Sequence, residues 1–259
     1  MTYKDLLVVI DSNHQARERV RIAAELAERF DAHLTGVYVA RASQPEPPEA
    51  ARDARALFED IVGSRQICAG WRAASGYPID AVAVEARCAD LVILGQLDPD
   101  DPLASVDHPC PEEIALSVGR PVLIIPYVGK YPVLGQRVLV AWDGSREATR
   151  AINDALPLLA TAASVTILMI DPAADDEKCG ECGAAIRAHL GRHGIYARVE
   201  KTFSGGVGVG EMLLSRASDL CADLLVMGAY GHSRVRELVL GGATRTVLNS
   251  MTLPVSMAH

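Results

Sequence analysis

The sequence predicts an α/β protein of parallel sheets with helices on both faces, and three observations carry that reading. Short apolar, β-branched runs alternate with segments of helical periodicity along the whole chain. The order of those segments occurs twice. CADLVILG at 88–95 returns as CADLLVMG at 221–228, an offset of 133. The run LLVVIDSN, carrying Asp11, has its counterpart in VLVAWDGS, carrying Asp143, at an offset of 132. Pro121 in RPVLIIP likewise matches Pro254 in LPVSMAH. A period of this size is far too long for a solenoid and implies tandem domains. The expected division is a first domain over 1–128, a linker over 129–136 within YVGKYPVLGQ (Tyr127–Gln136), and a second domain over 137–259. Each lies near the usual domain size of ~100–150 residues.

In the first copy, Leu6–Ile10 reads as a strand, followed by a helix reaching Phe30 and a strand over His33–Val39. A helix around Ala51–Val62, strand-like residues near Cys68–Arg72 and a helix near Asp80–Cys88 come next. Leu91–Leu94 is a strand, a helix lies around Glu112–Val118, and Val122–Ile125 closes the copy. In the second copy, Arg137–Trp142 reads as a strand buried on both faces. Ser145–Leu159 is a helix, with Ala151, Ile152, Ala155 and Leu158 at helical spacing. Ser164–Ile170 is the next strand, and a helix near Cys182–His193 stops at Gly194. Strand Ile195–Phe203, helix Gly210–Asp219, strand Asp223–Met227, a helix over Ala243–Ser250 and strand Pro254–Met257 complete the copy. Right-handed crossovers follow for parallel strands joined this way. Cys88 and Cys221, each just before a strand, read as small buried thiols.

Apolar residues make up 49% of the 259, which is the composition of a folded globular chain. The net charge of −8 argues against a general nucleic-acid binder, because phosphate contacts need a basic face. The first apolar run ends at Asp11, too short for a signal peptide or a membrane span. A soluble, cytoplasmic protein without a membrane partner is expected. The six cysteines are too sparse for a disulfide framework.

One stretch concentrates the chemistry. MGAYGHSRVRELVLGG at 227–242 sets glycines at 228, 231, 241 and 242 directly after an apolar run. In open parallel sheets, ligands bind beyond the carboxyl ends of the strands, where the strand order reverses. Gly228 follows one strand and Asp143 follows another, so the two face each other if those strands are neighbours. Glycines let backbone N–H groups come close to phosphate oxygens, and the helix opening at Gly241–Ala243 favours anions. Arg234, Arg236 and Arg245 add positive charge. Asp143 repels phosphate, so it belongs at a ribose or base end.

GAYG, nine further residues and then Gly241 form a G-x2-G-x9-G pattern that resembles the universal stress proteins. The strand followed by Asp143-Gly-Ser and the terminal Leu-Pro-Val resemble that family too, and the likeness spans the chain as two tandem domains. The resemblance implies two Rossmann-like, adenine nucleotide alpha hydrolase-like domains, each a five-stranded parallel sheet of order 3-2-1-4-5. It implies ATP, with Mg2+ as its companion ion, between the first and fourth strands of the second domain. Carried over by position, Ala141 and Asp143 line the adenosine side and Met169 lies near adenine. Gly228, Gly231, Gly241 and Gly242, with Ala243 and Thr244, hold ribose and phosphates. The family's nucleotide binders usually carry Ser or Thr directly after the third glycine. Here that position is Gly242, and the nearest hydroxyl is Thr244. Family members commonly pair, which implies an intramolecular pseudo-dimer of the two domains and, beyond it, a homodimer.

The first copy keeps Asp11 but follows Gly95 with QLDPDDPLASVDHPCPEE. No second glycine occurs there, and Asp98, Asp100, Asp101 and Asp107 would oppose a triphosphate. This copy is not expected to bind ATP in the same manner. Asp107, His108 and Cys110 offer metal-ligand chemistry without a defining spacing. Cys179-Gly-Glu-Cys182, with His189 and His193 beyond it, is a zinc half-site or a redox pair by type. A structural zinc needs four ligands and no second C-x-x-C occurs, so no metal is expected. SGGVGVGE at 204–211 reads as a glycine-rich strand-to-helix turn, and Ser145 as a helix N-cap. His232 and Ser233 lack a recognisable acidic orienter, and no Walker lysine appears, so no catalytic residue is assigned. The expected function is ATP-dependent binding and regulation in a stress response, through a protein partner the sequence does not name. A slow ATPase or other hydrolase, and a ligand-free interaction scaffold, are the alternatives.

Overall fold

The computed structural model describes residues 2–11, 15–40, 49–100, 110–171, 177–230 and 242–259, with backbone only at 40 and 177–182. These residues divide into two compact units, Thr2–Tyr131 and Pro132–His259. The first contains β1 (Asp5–Val9), α1 (Ala16–Phe30), β2 (His33–Ala40), α2 (Glu49–Gly63) and β3 (Ala69–Ser75). It continues through α3 (Pro78–Glu85), a 3-10 turn at Ala86–Cys88, β4 (Leu91–Gly95), α4 (Pro111–Ser117) and β5 (Val122–Ile125). All described pairings are parallel, in the order β3-β2-β1-β4-β5. The chain steps outward from β1 to β3, so right-handed crossovers put α1 and α2 together on one face. It then returns to β4 and steps the other way, which puts α3 and α4 on the opposite face.

The second unit repeats the plan with β6 (Arg137–Ala141), α5 (Arg146–Asp154), α6 (Leu156–Ala160), β7 (Ser164–Ile170) and α7 (Glu177–Arg192). β8 (Ala197–Thr202), α8 (Val209–Asp219), β9 (Leu224–Gly228), α9 (Ala243–Ser250) and β10 (Val255–Ala258) follow. Its strands pair in parallel as β8-β7-β6-β9-β10, the same 3-2-1-4-5 order. The central strands are buried on both faces, which is why β4 and β9 read as continuous apolar runs without alternation. Helix packing uses glycine where layers must come close. A Cβ on Gly36 would lie 2.8 Å from the Phe58 ring, through which α2 packs on β2. A Cβ on Gly210 would lie 2.6 Å from Thr246 Cβ, where α8 meets α9.

The repeated CADL stretch has a definite mechanical role. Asp90 accepts hydrogen bonds from the backbone of Lys4 (2.7 Å) and Asp5 (3.1 Å) as the chain enters β1. Asp223 does the same for the chain entering β6, accepting from Gly135 (2.8 Å), Gln136 (3.2 Å) and Arg137 (3.0 Å). Carboxylates accepting several N–H bonds make strong anchors, so the repeated aspartate fixes where the first strand of each unit begins. At the other end of the first unit, Glu18 accepts the N–H of Tyr131 (2.7 Å) while Arg21 donates to its carbonyl (2.6 Å). The Arg21 guanidinium holds the Glu18 carboxyl below its ordinary value against the opposing effect of burial.

Three expectations need correction. Cys88 and Cys221 are exposed, not buried. Cys221 follows α8 with φ of 48°, while Ala222 donates back to Ala217, so the thiol points away at a helix end. The helix expected over Ser145–Leu159 is two helices, because Pro157 has no N–H to continue the first and instead sits in the opening turn of α6. α7 begins at Glu177, earlier than the start expected near Cys182, so Cys179 and Cys182 both lie in the first two turns of its backbone. Among the described residues, no helix is long and apolar enough to cross a membrane.

Candidate functional site

β6 and β9 are hydrogen-bonded neighbours, with Val140 in register with Val226. Their carboxyl ends therefore lie side by side where the strand order reverses, the usual ligand position in open α/β sheets. Ala141 is the half-buried last residue of β6, and the next N–H, from Trp142, is taken by Leu168 of β7 at 2.9 Å. The chain then turns outward. Asp143 is exposed and its Oδ1 accepts the Ser145 N–H at 2.9 Å across Gly144, whose φ is 76°. Ser145 caps α5 as expected, its Oγ accepting from Ala148 N at 3.1 Å.

Gly228 closes β9 under the first turn of α5. A Cβ there would lie 2.6 Å from Ala148 N and 2.7 Å from the Glu147 carbonyl carbon. The glycine is thus required for close helix approach, whatever else occupies the crevice. Beyond it, Ala229 donates to Ala258 and Tyr230 donates to Thr244 Oγ1 at 3.2 Å, with Tyr230 at φ of 58°. Thr244 is buried, so its hydroxyl ties the exit of β9 to the opening of α9. Gly242 is the N-cap residue of α9 and, with Ala243, is half-buried. Gly231 and Gly241, with His232, Ser233, Arg234 and Arg236, lie outside the described residues; Arg245 is exposed on α9.

Met169 lies near the carboxyl end of β7, but its side chain is buried beneath α7. Its sulfur would be 3.0 Å from a Cβ on Gly183. Only its backbone is at the strand edge. Ala141, Asp143, Met169, Gly228 and Gly242–Thr244 thus all belong to the carboxyl-end edge of the second unit.

Two neighbours were not anticipated from sequence. Glu147 is buried in the first turn of α5 beside Gly228 and pairs with Arg146 at 3.2 Å; a carboxylate at a helix N-terminus is favourably placed. Asp171, just past β7 with φ of 47°, has its carboxyl held below the usual range by the Ser204 hydroxyl and N–H. The signal for Glu147 was its place two residues after the cap. Nothing local in the sequence marked the contact between Asp171 and Ser204.

Among the described residues, no three His, Cys, Asp or Glu side chains are grouped to hold an ion. Cys110 is the N-cap residue of α4, and burial pushes its thiol up. His108 lies outside the described residues, as do the side chains of Cys179 and Cys182. His189 and His193 pack edge to face, with ring centres 4.9 Å apart.

Comparison with known proteins agrees with this architecture. The profile described as "Universal stress protein family" matches residues 2–97 and 135–259. A curated universal stress protein of Synechocystis sp. is 32% identical over 147 residues, which are 56% of this chain and 48% of the relative, so about half the relative's length is spanned. A solved universal stress protein from Archaeoglobus fulgidus superposes with a TM-score of 0.73 at 16% identity, over 98% of this chain and 96% of that one. A putative universal stress protein from Pseudomonas aeruginosa gives 0.65 at 18% identity, over 99% and 93% of the two chains. At those identities the likeness establishes the fold.

Proposed function

The chain belongs to the universal stress protein family, and on that premise we propose that it is an ATP-binding regulatory protein of the stress response. The nucleotide, with Mg2+, binds in the second domain between β6 and β9. One observation carries the reading. The adjacency of these two strands sets exposed Asp143 and the start of the glycine stretch at Gly228 on one edge, at the point of strand-order reversal. Asp143 accepts hydrogen bonds from ribose or adenine, and Ala141 and the Met169 backbone line the base side. Gly231, Gly241 and Gly242 present backbone N–H groups to the phosphates, aided by the opening of α9 at Ala243 and Thr244. The Gly242 amide takes the place of the missing hydroxyl.

The domains run 1–128 and 137–259 about the linker 129–136, and only the second carries the phosphate loop. No residue is given a catalytic role. Bound ATP stabilises one conformation of the second domain, and a protein partner reads the difference. Calorimetric titration of nucleotide-free protein with ATP and Mg2+ tests the site. Saturable binding that disappears in Gly231→Val supports it; binding of equal strength in that variant removes it.

A further inference from the structure

The crevice of the first unit, between the carboxyl ends of β1 and β4, contains a charged group from the chain itself. Arg19, on α1, is 2% exposed, and its Nη2 donates to Asp11 Oδ1 at 2.5 Å. Asp11 lies just beyond β1, at the position that Asp143 has beyond β6. The same guanidinium reaches the end of β4, where a Cβ on Gly95 would run into Arg19 Nη1. Gln15, Gln96, Ile125 and Tyr127 close the hollow around it and leave no space for a water molecule. Gln96 is itself fixed, accepting the Tyr127 N–H at 3.2 Å.

The two units differ at one position in a telling way. At the repeat offset of 132, Arg19 corresponds to Ala151, a buried residue of α5. In the second unit the helix backbone itself comes down on Gly228; in the first, the guanidinium lies between α1 and Gly95. A buried cation is tolerated only with a countercharge, and removing one partner strands the other. Arg19 Nε has no acceptor among the described residues, so pairing to Asp11 is the main compensation visible for this charge.

We propose that Arg19 is a built-in occupant of the first unit's crevice, with Asp11 as its counter-ion, so that this half is a closed guanidinium site and takes no external ligand. The assignment stands on contacts within the first unit and does not depend on ATP binding by the second. It also gives Asp11 a role different from that of Asp143: it binds a resident cation.

Chemical rescue tests it. Arg19→Ala leaves a guanidinium-sized hollow facing Asp11, and its melting temperature is expected to fall. Guanidinium chloride at 1–20 mM, far below denaturing concentrations, should recover part of that loss in a saturable way. Sodium chloride at equal ionic strength should not, and the parent protein should gain nothing. Equal responses of parent and variant, or no loss in Arg19→Ala, would overturn the proposal. Should Arg19→Ala not yield folded protein, Gly95→Ala in the parent must displace the guanidinium and lower the melting temperature; an unchanged one would also overturn it. A second ATP equivalent bound by the parent and lost in Arg19→Ala would show a nucleotide site in its place, independently of whether the second unit binds.

Discussion

Replacing Gly228 with alanine probes the junction on which the crevice is built. The φ of Gly228 is not in the left-handed region, so alanine meets no backbone penalty there. The penalty is steric. The new methyl carbon would lie 2.6 Å from Ala148 N, 2.7 Å from the Glu147 carbonyl carbon and 2.9 Å from Glu147 Cβ. Two of these are backbone atoms of α5 and cannot rotate aside, so the helix start must move. Overpacking of this kind costs about 1–3 kcal/mol. Restricting the unfolded chain returns about 0.4–1 kcal/mol. A net loss of roughly 1–2 kcal/mol remains, which for chains of this size lowers the melting temperature by roughly 2–8 °C. Because Asp143 and the Ser145 cap are attached to the displaced turn, ATP affinity should fall with it. Thermal melts and calorimetry on the same preparation measure both. A Gly228→Ala protein as stable as the parent would refute the close approach of α5 to β9.

Further variants separate stability from binding. Ser145→Ala removes the cap of α5 and should cost about 1 kcal/mol in a urea melt, whereas Ser145→Gly should cost only a few tenths. Equal losses would mean the hydroxyl is not the cap. Asp223→Ala leaves three backbone donors without their acceptor and should cost about 2–3 kcal/mol, with ATP affinity preserved because the anchor is at the amino end of β6. Loss of ATP binding in a still folded Asp223→Ala protein would contradict that separation. Glu18→Gln tests the pH dependence. A carboxyl whose folded pKa is depressed contributes stability above its unfolded pKa and loses it as pH falls through the folded value. The variant should be less stable than the parent by about 1–2 kcal/mol at pH 7, and the gap should close on acidification below about pH 4. A gap that persists unchanged to pH 3 would contradict the pairing with Arg21.

The fold was readable because each unit's central strands are buried on both faces and leave uninterrupted apolar runs, as in Leu91–Gly95 and Leu224–Gly228. Element ends were less so. β3 has the small and polar sequence AGWRAAS and is half-exposed, so no apolar run marked its extent. The break between α5 and α6 was written in Pro157, but the helical spacing of Ala155, Leu158 and Leu159 continues across it. At the site, Asp143 and Gly228 were visible as strand-end residues, whereas the reason for Gly228 was not. Its collision is with Glu147 and Ala148, 80 or more positions earlier in the chain. The same holds for Arg19. It is one of four arginines in α1, so nothing local marks it for burial, and Asp11 and Gly95 are brought to it by the topology. The cysteine reading failed because a turn at a helix end resembles a strand entry in sequence while leaving the side chain outside.

The stoichiometry of ATP binding to the intact, nucleotide-free chain tests the central claim most directly. With Mg2+ present, calorimetry should give one ATP per chain, held by the second domain while Arg19 keeps the first closed. Two ATP per chain, or none, would contradict the account.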